Sequence, residues 1–347
     1  MPEPHRYQLQ NDAANRLIQD LVETAGVPAP TRGFIQQMLT TVLKLHEDGA
    51  PTGDLKITNS ALKELRYSFK VFAPYRDVRK VTVFGSARTP QTDPAAEAAR
   101  RFGERMVAAG WMVVTGAGAG IMGAAQEGAS GEHSFGLNIR LPFEQEANPW
   151  IASDPKLITF KYFFTRKLFL VKEAHAFALF PGGFGTMDET FEALTLLQTG
   201  KSTLVPIVFV EAGPRPYWRA WDAFLRGMLV EGGFIEPADL AFYRIVDSVE
   251  DAVREIEGFY LVFHSARIVV DNLVFRLKRR LTDADLAEIQ ERFDDILKGR
   301  IDQVSGPVPQ ELPEFLDLPR LVIPFKRVGY ARLRQLIDFI NARPDPR

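Results

Sequence analysis

Apolar residues recur at helical spacing in the first part of this 347-residue chain, and the pattern changes near residue 79. Two segments, LIQDLVETAG and FIQQMLTTVLKLHEDG, carry apolar residues every three or four positions, which predicts helices. Gly26 and Gly49 close these segments and are typical of helix ends. We therefore predict a helical N-terminal extension over residues 1–78.

Short apolar runs alternate with amphipathic segments between residues 79 and 262. Each run predicts a strand and each amphipathic segment a helix, and this alternation indicates a parallel sheet covered on both faces. The runs are almost continuously apolar, as buried parallel strands are. The predicted fold class is α/β, a Rossmann-like, doubly wound parallel sheet with helical additions at both ends. The strand-forming stretches are KVTVFGSA, WMVVTGA, HSFGLNIRLP, KLITFKYFF, AFALFPGG, TLVPIVFVE and FYRIVDS.

The alternation stops near residue 263. The stretch SARIVVDNLVFRLKRRLTDADLAEIQERFDDIL is predicted to be helical, with Thr282 as an N-cap. A proline-rich connector then leads to a short apolar run, RLVIPF, and a last helix, ARLRQLIDFIN. We therefore predict a mostly helical C-terminal extension over residues 263–347. Its basic cluster, Arg276–Arg280, fits a solvated helix face or a subunit contact better than a nucleic-acid patch.

Composition narrows the classes of function. A formal net charge of −2 provides no electrostatic footprint for nucleic acid. The chain has no cysteine, which excludes disulfides, a thiolate nucleophile and cysteine-ligated zinc. The polar start of the chain lacks the apolar core of a signal peptide, and no apolar run approaches the roughly 20 residues that span a bilayer. We expect a cytoplasmic protein that binds neither membrane nor nucleic acid.

A glycine-rich turn, VVTGAGAGIMGAA, follows the second predicted strand. Gly118, Gly120 and Gly123 satisfy G-x-G-x-x-G, a pattern that brings backbone N–H groups close to a phosphate or simply allows tight strand–helix packing. In dinucleotide-binding proteins this motif follows the first strand, and an acidic residue ends the next one. Here the next strand ends in Asn138 and Arg140. An NADP-dependent reductase therefore remains a disfavoured alternative.

The stretch PGGFGTMDET forms a second glycine corner between a strand and a helix. Thr186-x-x-Glu189 is a capping-box pattern, which is worth about 1 kcal/mol as a helix start and needs no functional explanation. A third corner, VFGSA, places Gly85 and Ser86 at another strand end. Carboxyl ends of parallel strands lie at one edge of the sheet, where open α/β sheets bind ligands. The alternative to a simple helix cap is therefore a crevice that binds a phosphate and in which Glu189 takes part in the reaction.

Two cations, Arg166 and Lys167, begin a predicted helix, where the helix dipole disfavours positive charge. They form either an exposed salt bridge, which contributes little, or a contact with a substrate phosphate or ribose. The segment Leu137–Pro149 is predicted to be a loop over the site, with Asn138 or Glu144 as substrate contacts.

Together these motifs resemble the lonely guy family, once described as lysine decarboxylases. Pro181–Glu189 matches its P-G-G-x-G-T-x-x-E signature, Arg166-Lys167 matches a second motif, and VFGSA and TGAGAGIMG match its other glycine corners over residues 79–260. The resemblance implies a nucleoside 5′-monophosphate phosphoribohydrolase that needs no metal or organic cofactor and releases free base and ribose 5-phosphate. It also implies at least a homodimer, with the site near the subunit interface.

By the same resemblance, Arg166 and Glu189 are expected to be catalytic. Two departures from the family pattern, Phe163–Thr165 before the arginine and Thr115–Gly118 at the glycine turn, favour AMP or another ordinary nucleotide over a cytokinin riboside monophosphate. A nucleotide-binding regulator without turnover is the alternative. The expected substrate-binding residues are Gly85, Ser86, Gly118, Gly120, Met122, Asn138, Lys167, Gly182, Gly183, Gly185 and Thr186.

Overall fold

The computed structural model of the chain describes residues 7–142, 146–213 and 215–343, which divide into two units between Tyr67 and Ser68. The first unit is helical, as predicted. The Asn11 side chain accepts the N–H groups of Ala13 and Ala14 and so starts the first helix. Positive φ angles of 66° at Gly26 and 70° at Gly49 follow the ends of the first two helices. The three helices are α1 (Asp12–Thr24), α2 (Ala29–Glu47) and α3 (Thr52–Phe72).

Seven parallel strands form the central sheet of the second unit, in the order β4-β3-β2-β1-β5-β6-β7. The predicted α/β fold is therefore confirmed. Both faces of the sheet are covered, and every residue of β1, β2, β5 and β6 is buried. The strands are β1 (Lys80–Phe84), β2 (Met112–Thr115), β3 (Ser134–Ile139), β4 (Leu157–Phe160), β5 (Ala176–Leu179), β6 (Ile207–Val210) and β7 (Tyr243–Val246).

Helices connect the strands, and small residues bring two of them into close contact. A Cβ added to Gly103 would lie 2.2 Å from the Ala125 carbonyl oxygen, and one on Gly128 would lie 1.9 Å from that of Arg100. Only glycine at these two positions therefore permits the close crossing of the helices Pro94–Ala108 (α4) and Ile121–Ala129 (α5). The helices are α4 (Pro94–Ala108), α5 (Ile121–Ala129), α6 (Phe163–Lys172), α7 (Phe184–Gln198), α8 (Tyr217–Phe224) and α9 (Val249–Phe259), with 3₁₀ turns at Ala73–Tyr75 and Pro237–Phe242 and a π-helical turn at Leu225–Val230. In the described ranges, no helix combines the length and the apolar character needed to span a bilayer.

The order of the strands reverses beside β1. The chain moves outward from β1 through β2 and β3 to β4, and then returns to pair β5 with the other side of β1. In this pairing Val81 lies opposite Ala176 and Phe84 lies opposite Leu179. Connections from adjacent strands that leave in opposite directions open a crevice at the carboxyl ends of the strands. The ends of β1 and β5 are therefore where a ligand is expected.

The prediction of a mostly helical C-terminal extension was wrong, because this region contains a four-stranded antiparallel sheet in the order β10-β11-β9-β8. The segments around ARIVV and LVFRL are rich in β-branched and aromatic residues and form a hairpin, with Val269 paired to Asn272. Thr282 caps the following helix as predicted, since its hydroxyl accepts the Asp285 N–H. The elements are β8 (Phe263–Val269), β9 (Asn272–Leu277), α10 (Asp283–Arg292), a 3₁₀ turn (Asp294–Ile296), β10 (Asp302–Val304), β11 (Arg320–Ile323) and α11 (Tyr330–Asn341).

The basic cluster Arg276–Arg280 therefore does not lie on a helix. Arg276 is only 1% exposed, in β9, and its Nε donates to Glu311 at 2.8 Å. A solvated helix face was the wrong interpretation for this arginine, because its side chain points into the buried face of the second sheet.

Candidate functional site

A cleft of about 720 Å³ opens at the carboxyl ends of β1 and β5. It lies at the point where the strand order reverses, in agreement with the expectation from the topology. Nine of the site residues predicted from the sequence line it, namely Gly85, Ser86, Met122, Arg166, Gly182, Gly183, Gly185, Thr186 and Glu189.

Backbone hydrogen bonds join the three glycine corners. The Ser86 N–H donates to the Pro181 carbonyl at 3.1 Å, and the Ile121 N–H donates to the Ser86 carbonyl at 3.0 Å. Gly120 makes this approach possible, because its φ is 62° and an added Cβ would lie 2.3 Å from the Ser86 oxygen. The three strand ends are thus held in one rigid arrangement around the cleft.

The capping-box interpretation of Thr186 and Glu189 was wrong. Helix α7 begins two residues before Thr186, at Phe184, and its N-cap is Gly183, which has no side chain to cap with. Thr186 instead packs against Gly182, where an added Cβ would lie 2.0 Å from the threonine Oγ1. The first N–H groups of α7 therefore have no side-chain cap from Gly183, and a helix start of this kind attracts anions. Glu189 is left free for another role.

Glu189 is a buried carboxylate that faces the cleft. It is only 4% exposed, and its Oε2 has no hydrogen-bond partner among the described residues. Burial raises the pKa of Glu189 from its ordinary 4.5 to about 7, and the positive charges of Lys167 and Arg166 offset this only in part. A buried carboxylate with an unused oxygen and a shifted pKa is typical of a reactive site.

Arg166 faces the same cleft from α6. Its Nε has no hydrogen-bond partner within the described part of the chain, and its guanidinium lies 5.4 Å from the centre of the Phe163 ring. Burial lowers the pKa of Arg166, against the opposing effect of Glu189 and Asp188, yet an arginine stays protonated at neutral pH. The cleft therefore presents one half-buried cation and one buried carboxylate, each with unused hydrogen-bonding capacity.

Lys167 has a different environment from its neighbour. It forms ion pairs with Asp188 at 2.9 Å and with Glu192 at 2.8 Å, and it does not line the cleft. The salt-bridge interpretation that the sequence left open for both cations thus describes Lys167. Asp188 is paired with Lys167 and does not line the cleft, whereas Glu189 does.

Three other predicted contacts also lie outside the cleft lining. Gly120 packs against the Ser86 carbonyl and does not line the cleft. The Gly118 carbonyl accepts a hydrogen bond from the side-chain amide of Asn148 at 3.0 Å. Asn138 belongs to β3 and is not in a loop; it is 9% exposed, and its side-chain oxygen accepts the Ile139 N–H. Strand β3 therefore runs into the segment that was predicted to be a loop. Glu144, the other proposed contact in that segment, lies outside the described residues.

Two polar residues of the cleft were missed by the sequence analysis. Arg88 follows β1 and is exposed, and its backbone N–H donates to the Ser86 hydroxyl at 3.1 Å. Its position three residues after a strand-end glycine was a usable signal. Tyr217, at the start of α8, donates its hydroxyl to the Gly182 carbonyl. No local pattern could have linked Tyr217 to a corner 35 residues earlier.

About half of this chain is similar to proteins that have been described before. Residues 122–256 match a family described as "Possible lysine decarboxylase". A cytokinin riboside 5′-monophosphate phosphoribohydrolase of Mycobacterium tuberculosis is 30% identical over 171 residues, covering 48% of this chain and 88% of the relative. An Arabidopsis thaliana protein of the same name is 25% identical, covering 52% and 84%. A molybdenum cofactor carrier protein of Chlamydomonas reinhardtii superimposes with a TM-score of 0.37 at 18% identity, covering 52% of this chain and 96% of the carrier.

The chemistry of the cleft does not fit decarboxylation of lysine. A decarboxylase that uses pyridoxal phosphate needs a lysine for its Schiff base. No lysine is among the described residues that line the cleft.

Proposed function

This chain belongs to the lonely guy family of phosphoribohydrolases, and we propose that it hydrolyses the N-glycosidic bond of nucleoside 5′-monophosphates to free base and ribose 5-phosphate. The observation that supports this proposal is that one cleft brings together Glu189 and Arg166, whose Oε2 and Nε have no hydrogen-bond partner in the described residues, beside a helix start without a side-chain cap.

The phosphate end of the substrate would bind at the glycine corner. The first N–H groups of α7, around Gly183 and Gly185, supply backbone donors and the positive end of the helix dipole. Thr186 adds a hydroxyl, and Arg88, which follows β1, adds a positive charge. Anchoring the phosphate fixes the position of the ribose, which converts binding energy into orientation for the chemical step.

The carboxylate would act on the ribose. As the bond from C1′ to the base nitrogen breaks, positive charge develops on the sugar in an oxocarbenium-like state. The ionised Glu189, one helical turn from the phosphate site, can stabilise that charge and accept a proton from the attacking water. The water oxygen then bonds to C1′, and the departing base takes up a proton. Arg166 would hold the substrate by charge-assisted hydrogen bonds.

We propose AMP or a similar ordinary nucleotide as the substrate, rather than a cytokinin riboside monophosphate. The glycine turn carries Ala117 at a φ of 62°, where the resembling proteins commonly have glycine, and Phe163 and Phe164 stand before the arginine. These residues do not line the cleft themselves, but Ala117 follows the lining residue Gly116, and the Phe163 ring lies 5.4 Å from the Arg166 guanidinium. We therefore expect both changes to affect how the base is held.

We also propose that two copies of the chain associate beside the cleft. Helix α6 exposes Phe163 and Phe164 to 54% and 56%, and Phe184 at the start of α7 is 97% exposed. Phe163 and Phe164 are consecutive in α6, and exposed apolar patches are typical of protein interfaces. The cytoplasmic location stays a prediction from the sequence.

The test is release of ribose 5-phosphate from a panel of nucleoside monophosphates. We expect Glu189→Gln to lower kcat by about 10²–10⁴-fold, because it keeps the shape of the side chain and removes the charge. Arg166→Ala should lower kcat/KM by a comparable factor. Asp188→Asn is the matched control, since this neighbouring carboxylate does not line the cleft; its activity should stay within about tenfold of wild type.

A different outcome would separate the two candidate functions. If folded wild-type protein binds nucleoside monophosphates but releases no ribose 5-phosphate from any of them, the hydrolase proposal is wrong. The protein would then be a nucleotide-binding regulator.

A further inference from the structure

A second cavity of about 360 Å³ lies at the opposite edge of the main sheet. Its walls come from the residues just before β1 and β5 and from the strands β8 and β9 of the second sheet. It therefore lies at the amino ends of the same two strands whose carboxyl ends form the candidate active site. Nothing in the proposed hydrolysis uses this cavity.

The lining is strongly basic. Five cationic side chains face the cavity, and a single carboxylate, Asp77, is among the described residues that line it. Three of the cations are neutralised by carboxylates: Lys172 pairs with Glu173, Arg267 pairs with Glu314, and Arg276 pairs with Glu311 and more distantly with Glu314. The other two are Arg76 and Arg79.

Arg76 and Arg79 form no ion pair with any carboxylate in the ranges that the structure describes. Arg76 is exposed. Arg79 is half-buried, with its guanidinium 3.5 Å from the centre of the Tyr260 ring and 5.7 Å from that of Trp111. Burial lowers the pKa of Arg79, and the group that opposes this is the Tyr260 hydroxyl rather than an acid. A guanidinium held in place by aromatic rings, with its charge unneutralised, is prepared for an anion.

The neighbouring histidines report the same positive field. Burial, followed by the charges of Lys80 and Arg79, lowers the pKa of His175 to about 4. Burial, followed by Arg79, Lys278, Arg276 and Arg320, lowers the pKa of His264 to about 4. Both rings are therefore neutral at pH 7, where an imidazole can still donate one hydrogen bond to a ligand.

We propose that this basic cavity binds a phosphorylated small molecule through Arg76 and Arg79, at a site separate from the candidate active site. Arginine presents a planar fork of donors that matches phosphate oxygens, and such charge-assisted hydrogen bonds are among the strongest in proteins. The volume lies in the range of small-molecule sites. His264 and Phe315, whose rings lie 4.5 Å apart in the wall, provide flat surfaces for the rest of the ligand.

The experiment is calorimetric titration of the full chain with inorganic pyrophosphate and, separately, with ATP. We expect two anion sites per chain in the wild type, because the candidate active site also takes phosphate. Arg76→Gln combined with Arg79→Gln should weaken one site by about tenfold or more. Arg88→Gln should weaken only the other. Arg300→Gln, an exposed arginine outside both cavities, is the matched control and should change neither.

The single variant Arg76→Gln shows whether misfolding explains the loss of binding in the double variant. It should fold normally, since the exposed Arg76 side chain forms no ion pair in the described ranges. It should weaken the same site as the double variant and leave ribose 5-phosphate release without added ligand within about twofold. Tighter binding of ATP than of pyrophosphate would assign a nucleotide, and equal binding would assign recognition of the phosphates alone. A single site in the wild type, or a second site that both variants leave unchanged, would overturn the proposal.

Discussion

Two clusters of buried charge in this protein contrast sharply. In the second sheet, Glu311 is flanked by Arg276 and Arg320, and both arginines donate to its carboxylate at 2.8–3.2 Å. Arg320 also donates to the backbone carbonyls of Phe315 and Glu314. In the cleft, Glu189 is buried and Arg166 is half-buried, and the Glu189 Oε2 and the Arg166 Nε have no hydrogen-bond partner in the described residues.

The difference also appears in the protonation of the two carboxylates. Burial acts to raise the pKa of both, but the hydrogen bonds from Arg320 and Arg276 reverse this for Glu311 and lower its pKa. In the described part of the chain, no comparable hydrogen bonds reach Glu189, and burial raises its pKa to about 7. A buried carboxylate that accepts several arginine hydrogen bonds holds a structure together, whereas one that lacks them carries a cost that function must justify.

The largest effect should come from breaking the paired cluster. Glu311→Gln removes the buried counter-charge that Arg276 and Arg320 share and leaves only the part-exposed Glu314 beside Arg276, so we expect a loss of about 3–5 kcal/mol in the free energy of unfolding. Urea denaturation measures it. Glu314→Gln is the control, because its side chain is 45% exposed and should matter by less than about 1 kcal/mol. A Glu311→Gln protein as stable as this control would show that the cluster is not structural.

The under-paired cluster should respond in the opposite direction. Because the folded protein holds the Glu189 proton up to about pH 7 and the unfolded chain releases it near 4.5, the wild type loses stability as pH rises between these values. Glu189→Gln cannot ionise, so at pH 8 it should be more stable than wild type by up to about 3 kcal/mol, relative to their difference at pH 4. Thermal unfolding at the two pH values measures this. If the stability difference between wild type and Glu189→Gln is the same at pH 4 and pH 8, burial does not disfavour the ionised form of Glu189.

The smallest effect is on the pH dependence of turnover. If the ionised Glu189 stabilises charge on the ribose, kcat/KM should fall about tenfold per pH unit below pH 7, as its pKa of about 7 implies. The Asp188→Asn protein should keep the same profile shape, since Asp188 is paired with Lys167 outside the cleft. A flat profile from pH 5 to 8 would exclude Glu189 as the titrating group.

Much of the fold was readable from the sequence, because parallel strands and helices have distinct local periodicities. Continuous apolar runs such as Ile207–Val210 are buried on both sides and cannot be mistaken for amphipathic helices. Glycine corners at strand ends mark places where the backbone approaches another segment, as Gly120 approaches Ser86. Such signals lie within a few residues of the feature that they predict.

Other features depended on contacts between distant segments. The hairpin of β8 and β9 was mistaken for a helix although its residues are β-branched and aromatic. Its place in a four-stranded sheet depends on β11, which pairs with β9 from about 45 residues later in the chain. Thr186 was predicted to be an N-cap from its spacing to Glu189. In the structure Thr186 packs against Gly182, and α7 begins two residues earlier, at Phe184. Tyr217 lies beside the cleft because its hydroxyl donates a hydrogen bond to the Gly182 carbonyl, 35 residues earlier in the chain.

The sequence by itself determined the α/β fold, the glycine corners and the candidate pair Arg166 and Glu189, because each is encoded by residues close together in the chain. Only the tertiary structure decided that Lys167 is paired with Asp188, that the buried Glu189 has an oxygen without a hydrogen-bond partner in the described residues, and that Arg76 and Arg79 face a second cavity. Charge, burial and pairing depend on what surrounds a side chain in space, and the spacing of residues along the chain does not specify those surroundings.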